Sequence, residues 1–102
     1  MKFDMSRNNI RAEGGKVLAE ALKGNQVMTE LNIAENRLGF KAEGYEKADM
    51  SGVVAISDAI PTMGALTSLN LASNKLKAEG VKHVAEAIKV NVSALRLNCD
   101  RF

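Results

Sequence analysis

The sequence predicts an α/β solenoid: a curved parallel sheet of four short strands on the inside and three helices on the outside. Three observations lead there. An eleven-residue frame with apolar residues at fixed places recurs four times, at Phe3, Met5, Asn8 and Ile10, at Met28, Leu31, Ile33, Asn36 and Leu38, at Leu66, Leu69, Leu71, Asn74 and Leu76, and at Val92, Leu95, Leu97, Asp100 and Phe102. Between the frames, apolar residues return at helical spacing after Gly14, Gly52 and Gly80. The two units occupy nearly all of the chain, so residues 1–102 form a single domain of about three and a half repeats.

Each frame predicts a strand followed by a turn. Alternating apolar residues make a short half-buried strand, the Asn side chain hydrogen-bonds turn backbone, and the last apolar residue tucks under the next turn. The repeat therefore rests on Leu31, Ile33, Asn36, Leu38, Leu69, Leu71, Asn74, Leu76, Leu95 and Leu97. In the helices, the fourth, seventh and eighth residues after the glycine are Leu18, Ala21 and Leu22, Ile56, Ala59 and Ile60, and Val84, Ala87 and Ile88, which share one face. Lys16, Lys82, Glu20, Asp58 and Glu86 fall on the opposite, solvated face, with Glu20 and Lys23 and Glu86 and Lys89 spaced for weak pairing. Asn25 and Asn91, each eleven residues past the glycine, are expected to close their helices in the left-handed conformation. Pro61 stands where the other repeats carry Lys23 and Lys89, and biases Ile60 away from helical geometry, so the second helix is expected to end about a turn early.

On these residues, together with the recurring Ala-Glu-Gly at 12–14, 42–44 and 78–80 and the Ala-Glu-Ala-Leu/Ile at 19–22 and 85–88, the chain resembles leucine-rich repeat proteins of the ribonuclease-inhibitor-like class. That resemblance implies a right-handed curved stack with strands on the inner wall, helices outside, and proteins as the usual ligands. It does not say which protein, since one scaffold serves many functions.

The spacing is broken once. Phe3 to Leu31 is 28 residues and Leu69 to Leu95 is 26, but Leu31 to Leu69 is 38. The excess lies between Leu38 and Gly52, as an inserted loop at about 39–50 that leaves the inner sheet where the chain turns towards the helix. Two of the four aromatic residues, Phe40 and Tyr45, fall in this insert beside Lys41, Lys47 and Met50. An exposed aromatic loop at a sheet rim suits partner contact, and packing over the convex edge is the competing expectation. Glu43, Glu46 and Asp49, three apart, would line one side of a short helix as a solvated acidic face, with too few ligands for a cation site.

Composition excludes several classes. With 46% apolar and 25% charged residues and a formal charge of +2 from interspersed Lys, Arg, Asp and Glu, the chain is ordinary globular protein without a nucleic-acid patch. No apolar run approaches the roughly 20 residues of a membrane span, and the first residues lack the apolar core of a signal peptide. A single cysteine suits a reducing cytoplasm. Catalytic signals are weak: Gly14-Gly15-Lys16 lacks the rest of a phosphate loop, His83 is a lone histidine on a helix flank, and Cys99 has no histidine at a family spacing. No cofactor or metal site is expected.

Function is therefore expected on the inner wall and the insert. The outward columns are Asp4, Asn32, Asn70 and Arg96; Ser6, Ala34, Ala72 and Asn98; Lys2, Glu30, Ser68 and Ala94; and Arg7, Glu35, Ser73 and Cys99. They hold no aromatic residue, a composition as typical of a bare scaffold as of an interface. The partner-binding candidates are Phe40, Tyr45, Lys47, Asn32, Asn70 and Arg96. The expected function is a non-enzymatic protein-binding module; the alternatives are a regulator of an enzyme, either an inhibitor or a GTPase activator acting through Arg7, Arg37 or Arg96, and a self-associating piece of a longer array. Self-association is expected through uncapped ends, because terminal repeats leave stacking faces and a strand edge in water.

Overall fold

The computed structural model describes residues 1–42, 45–91 and 96–98, and the backbone alone at 41, 42, 45–47, 90 and 91. Four three-residue strands, β1 (Lys2–Asp4), β2 (Glu30–Asn32), β5 (Ser68–Asn70) and β6 (Arg96–Asn98), pair in parallel in that order as one open sheet. Between them come the helices α1 (Arg11–Leu22), α2 (Ser51–Ala59) and α3 (Lys77–Asn91). Parallel neighbours need a crossover, and each connection here carries one of the helices. Four parallel strands and three helices in alternation make an α/β repeat fold.

The core is the seam between sheet and helices. Leu31, Ile33, Leu38, Leu69, Leu71 and Leu76 are buried, as the alternation requires, and Val53, Ile56, Ile60 and Val84 meet them from the helical layer. Phe3, the counterpart of Leu31 and Leu69, stays 44% exposed, because β1 is an edge strand with a neighbour on one side only.

Register corrects the fourth repeat. Leu69 pairs with Leu97, not with Leu95, and Ser68 pairs with Arg96 while Asn70 pairs with Asn98. The last repeat thus has a 28-residue step, equal to that from Phe3 to Leu31, and Arg96 moves from the Asp4, Asn32 and Asn70 column to that of Lys2, Glu30 and Ser68. A slip of two residues keeps every side chain on its own face, so alternation alone cannot distinguish the two registers. The expectations placed on Val92, Glu43, Ala94, Leu95, Cys99, Asp100 and Phe102 lie outside the described residues.

The helices differ from expectation in four places. On α1 the buried positions are Arg11, Ala12, Gly15, Ala19 and Leu22, and Ala21 is exposed. The reason is that α1 packs against α2 alone among the helices, so its covered flank is the one turned towards α2. At Gly52 a side chain would fall 2.5 Å from the Ala12 carbonyl oxygen, so the two helices meet backbone to backbone. Asn25 does not close α1 in the left-handed conformation; Gly24 does, at φ +76°, while the Asn25 Oδ1 accepts the Val27 and Met28 N–H groups at 2.9 and 2.8 Å. Asn91 is the last residue of α3 rather than a residue beyond it. α2 stops at Ala59 and a 3-10 turn, Ile60–Thr62, follows, but Ile60 keeps helical geometry at φ −52° and ψ −48°, against the expectation from Pro61, and α1, with no proline, ends only one equivalent position later at Leu22.

The insert is a hairpin and not a short helix: β3 (Phe40–Ala42) and β4 (Tyr45–Ala48) pair antiparallel, with Phe40 opposite Ala48. Its base is closed by the Asp49 N–H donating to the Gly39 carbonyl at 2.8 Å. Gly39 is where the repeat diverges. Its N–H donates to the Asn74 carbonyl as that of Arg11 does to the Asn36 carbonyl, but Arg11 and Lys77 turn into their helices with positive φ and Gly39 does not. A side chain there would collide with the Lys75 carbonyl oxygen.

Candidate functional site

The inner wall is built from three features of the repeat. The first is a buried asparagine at the turns after β2 and β5, Asn36 and Asn74. Asn74 Oδ1 accepts the N–H groups of Asn36 and Leu38 at 2.7 and 3.4 Å, while its Nδ2 donates to the carbonyls of Ile33 and Leu71 at 2.8 and 3.0 Å. Asn36 repeats the arrangement one turn earlier, accepting from Asn8 at 2.7 Å and donating to Met5 and Ile33 at 2.9 and 3.1 Å. The asparagine thus ties its own turn to the turn of the preceding repeat, which the sequence pattern alone did not show.

Those bonds hold a turn that is otherwise costly. Arg7, Glu35 and Ser73 have φ of 59°, 56° and 57°, and two residues later Asn9, Arg37 and Lys75 have 55°, 54° and 57°. None is glycine, and left-handed backbone at such residues costs roughly 1 to 2 kcal/mol each. The strained turns bring two columns of polar side chains side by side at the rim where the strands end.

The second feature is the column Asp4, Asn32 and Asn70, paired across adjacent strands. Each side-chain oxygen accepts the N–H two residues on: Asp4 from Ser6 at 2.9 Å, Asn32 from Ala34 at 3.0 Å, Asn70 from Ala72 at 3.0 Å. The Ser6 N–H holds the Asp4 carboxyl below its ordinary value of 3.8. For Asn32 and Asn70 the carbonyl side of the amide is committed, and the Nδ2 donors form no bond among the described residues. Two adjacent amide donors on an exposed wall can each meet a carbonyl oxygen of a bound chain.

The third feature is charge. Lys2 meets Glu30 at 3.1 Å and Arg7 meets Glu35 at 2.9 Å, so the first two strands neutralise each other across the wall. The Glu35 hydrogen bond raises the Arg7 pKa further above its usual range. The third strand carries Ser68 and Ser73 at these positions, and Arg96, exposed, is beside Ser68.

Two hollows open on this surface. One, of about 320 Å³, lies on the wall over Phe3, Leu31, Asn32 and Asn70. The other, of about 510 Å³, lies at the rim and is lined by Arg7, Asn9, Glu35, Arg37, Phe40, Ser73 and Lys75. The structure therefore brings Asn32 and Asn70 together and places Phe40, half-buried, in the rim hollow. Arg96 is on the far edge strand; Tyr45 and Lys47 lie in β4, and their side chains are outside the described residues. Asn9 and Lys75 were not singled out by the sequence pattern. The outward columns read from the strands end at Arg7, Glu35 and Ser73, and two residues further along the turns come Asn9, Arg37 and Lys75. Among the described residues no group of three or more His, Cys, Asp or Glu is placed to hold a metal, and no helix is long and apolar enough to cross a membrane.

A family model described as Leucine Rich repeat matches residues 1–19 and 66–85. Each segment spans an inner strand and the first part of a helix, and the strand register puts Phe3 of the first at the position of Leu69 in the second. These two segments are similar to leucine-rich repeats. Leucine-rich repeats generally mediate protein–protein interaction and are typically non-enzymatic.

Proposed function

We propose that this chain is a non-enzymatic leucine-rich repeat module of the ribonuclease-inhibitor-like class, a segment of solenoid that binds a protein partner through its inner strand face and the rim beside the insert. The class reading is supported by the 28-residue step from β1 to β2 and from β5 to β6, and by a full helix in every crossover. The observation that carries the binding reading is the pair Asn32 and Asn70: their carbonyl oxygens are fixed to backbone, which orients two uncommitted amide donors on neighbouring strands. Tyr45, Lys47 and Arg96 extend this surface in our reading, and the single cysteine favours a cytoplasmic setting.

Asn32→Asp with Asn70→Asp tests it, because aspartate keeps the acceptor that caps Ala34 and Ala72 and removes the donors. Partner capture from lysate should fall while the melting temperature holds; equal capture by the variant would remove the wall from the binding surface. Tyr45→Ala should lower capture in the same way if the hairpin contributes. The enzyme-regulator reading finds no support at Arg7, which is engaged by Glu35, and recovery of a GTPase only in one nucleotide state would revive it. Self-association is the remaining possibility, through edge strand β1, where Met1 and Phe3 are exposed. Light scattering over a wide concentration range should show heavier species that Phe3→Lys removes.

A further inference from the structure

We propose that the two ends of the repeat stack fit each other: the outer flank of α3 and the edge of β6 in one copy of the chain dock against α1 and β1 of a second copy, head to tail. The inference rests on the self-association reading and gives it a surface and a direction.

The helical layer repeats one contact. A side chain at Gly52 would strike Ala12, and one at Gly15 would come 3.1 Å from Gly52 Cα. A side chain at Gly80 would lie 3.3 Å from Met50 Sδ and 3.4 Å from Val53 Cγ1. Counted from Gly14, Gly52 and Gly80, the pair Ala12 and Gly15 on α1 is equivalent to Met50 and Val53 on α2, and to Ala78 and Val81 on α3. Each glycine therefore packs on the same two positions of the helix before it. Gly14 has only its own Ile10 nearby among the described residues, while Ala78 is exposed and Val81 half-buried. The flanks continue this pattern. Ala21 is exposed on α1 but its equivalents Ala59 and Ala87 are buried, and Ala85 is exposed on α3 but its equivalents Ala19 and Ser57 are buried. Val81 of one copy set against Gly14 of the next would reproduce the contact of Val53 with Gly80.

The sheet offers the same joint. Met1 and Met5 turn their backbone groups to β2, so those of Lys2 and Asp4 face away from it, as those of Glu30 and Asn32 face β1. At the other edge Arg96 and Asn98 bond to the β5 side, which leaves Leu97 to face outward. Parallel pairing of β6 with β1 of the next copy would place Leu97 beside Phe3, as Phe3 is beside Leu31. Asn8 points to the same occupant. Asn36 and Asn74 each accept from the turn before them and donate to it, whereas Asn8 donates only to Met5 and Ser6 of its own turn, and its Oδ1 accepts nothing among the described residues. A twofold pairing of two β1 edges would run them antiparallel and bring no valine to Gly14.

The test is sedimentation velocity on the chain over a wide concentration range. A head-to-tail contact does not close, so species should grow beyond the dimer. Arg96 would stand beside Lys2 across the joint, so growth should rise with salt. Val17→Glu at the head and Ala85→Glu at the tail, both at exposed positions, should keep the melting temperature of the parent chain and each remain monomeric. Mixed in equal amounts they should form a species of twice the monomer mass and stop there, because each variant keeps one intact face. A mixture that stays monomeric, or growth that Ala85→Glu leaves untouched, would overturn head-to-tail stacking. A parent chain that stops at a dimer, lost in Val17→Glu alone, would overturn it too and leave self-association standing in symmetric form. A parent chain monomeric throughout would remove both.

Discussion

Asn74 is the side chain whose single loss should cost most per atom. It is fully buried and holds five backbone groups from two repeats. Asn74→Ala leaves those groups without partners in the dry interior, so unfolding free energy should drop by about 3 kcal/mol or more in denaturant titration. A drop near zero would mean that water reaches the turn. Asp4 makes a different point, because it does with a carboxylate what Asn32 and Asn70 do with amides. Its folded pKa lies below 3.8, so its stabilising bond to Ser6 is in place above that value and is lost as pH falls through the lower folded value. Asp4→Asn keeps the acceptor and removes the titration. Melting curves from neutral pH down to about 3 should therefore show less acid loss for the variant than for the parent protein, and superimposable profiles would refute the assignment.

At the scale of elements, α2 is the joint of the molecule. It is the helix with a neighbour on both sides, and five of its residues, Gly52, Val53, Ile56, Ser57 and Ala59, are buried. Gly52→Ala pushes a methyl group at the Ala12 carbonyl and must separate α1 from α2. A loss of about 1 to 3 kcal/mol is expected from such overpacking, and calorimetry showing no change in melting temperature would mean that the helices slide freely. The seam below it behaves as a core of large apolar groups. Leu69, 1% exposed, stands between the Leu31 and Leu97 strands, and Leu69→Ala should cost about 2 to 5 kcal/mol.

Over the whole molecule, stability should fall from the middle outwards, since each repeat contacts only its neighbours. β2 and β5 are paired on both sides, β1 and β6 on one. Hydrogen exchange should then be slowest at the amides of Leu31, Ile33, Leu69 and Leu71 and faster at Phe3 and Leu97, and uniform protection across the sheet would indicate a single cooperative unit instead.

The repeat was legible because it is local. Alternation at Leu69 and Leu71 and the asparagine three residues on act within a few residues, so strand and turn follow from the chain itself. The place of the insert was legible for the same reason, from an interval of 38 where 28 was due. Its hairpin form was not, because Phe40 meets Ala48 only through pairing that no short period announces. Nor was the last register, since Leu95 and Leu97 satisfy the same face and the choice between them is made by β5. The face of α1 turned out to be the flank towards α2, which helical period cannot specify without a neighbour. The rim hollow belongs wholly to tertiary structure: Arg7, Arg37, Phe40 and Lys75 are spread along the chain, and they meet because strands stack at one spacing and left-handed turns point their side chains to one side.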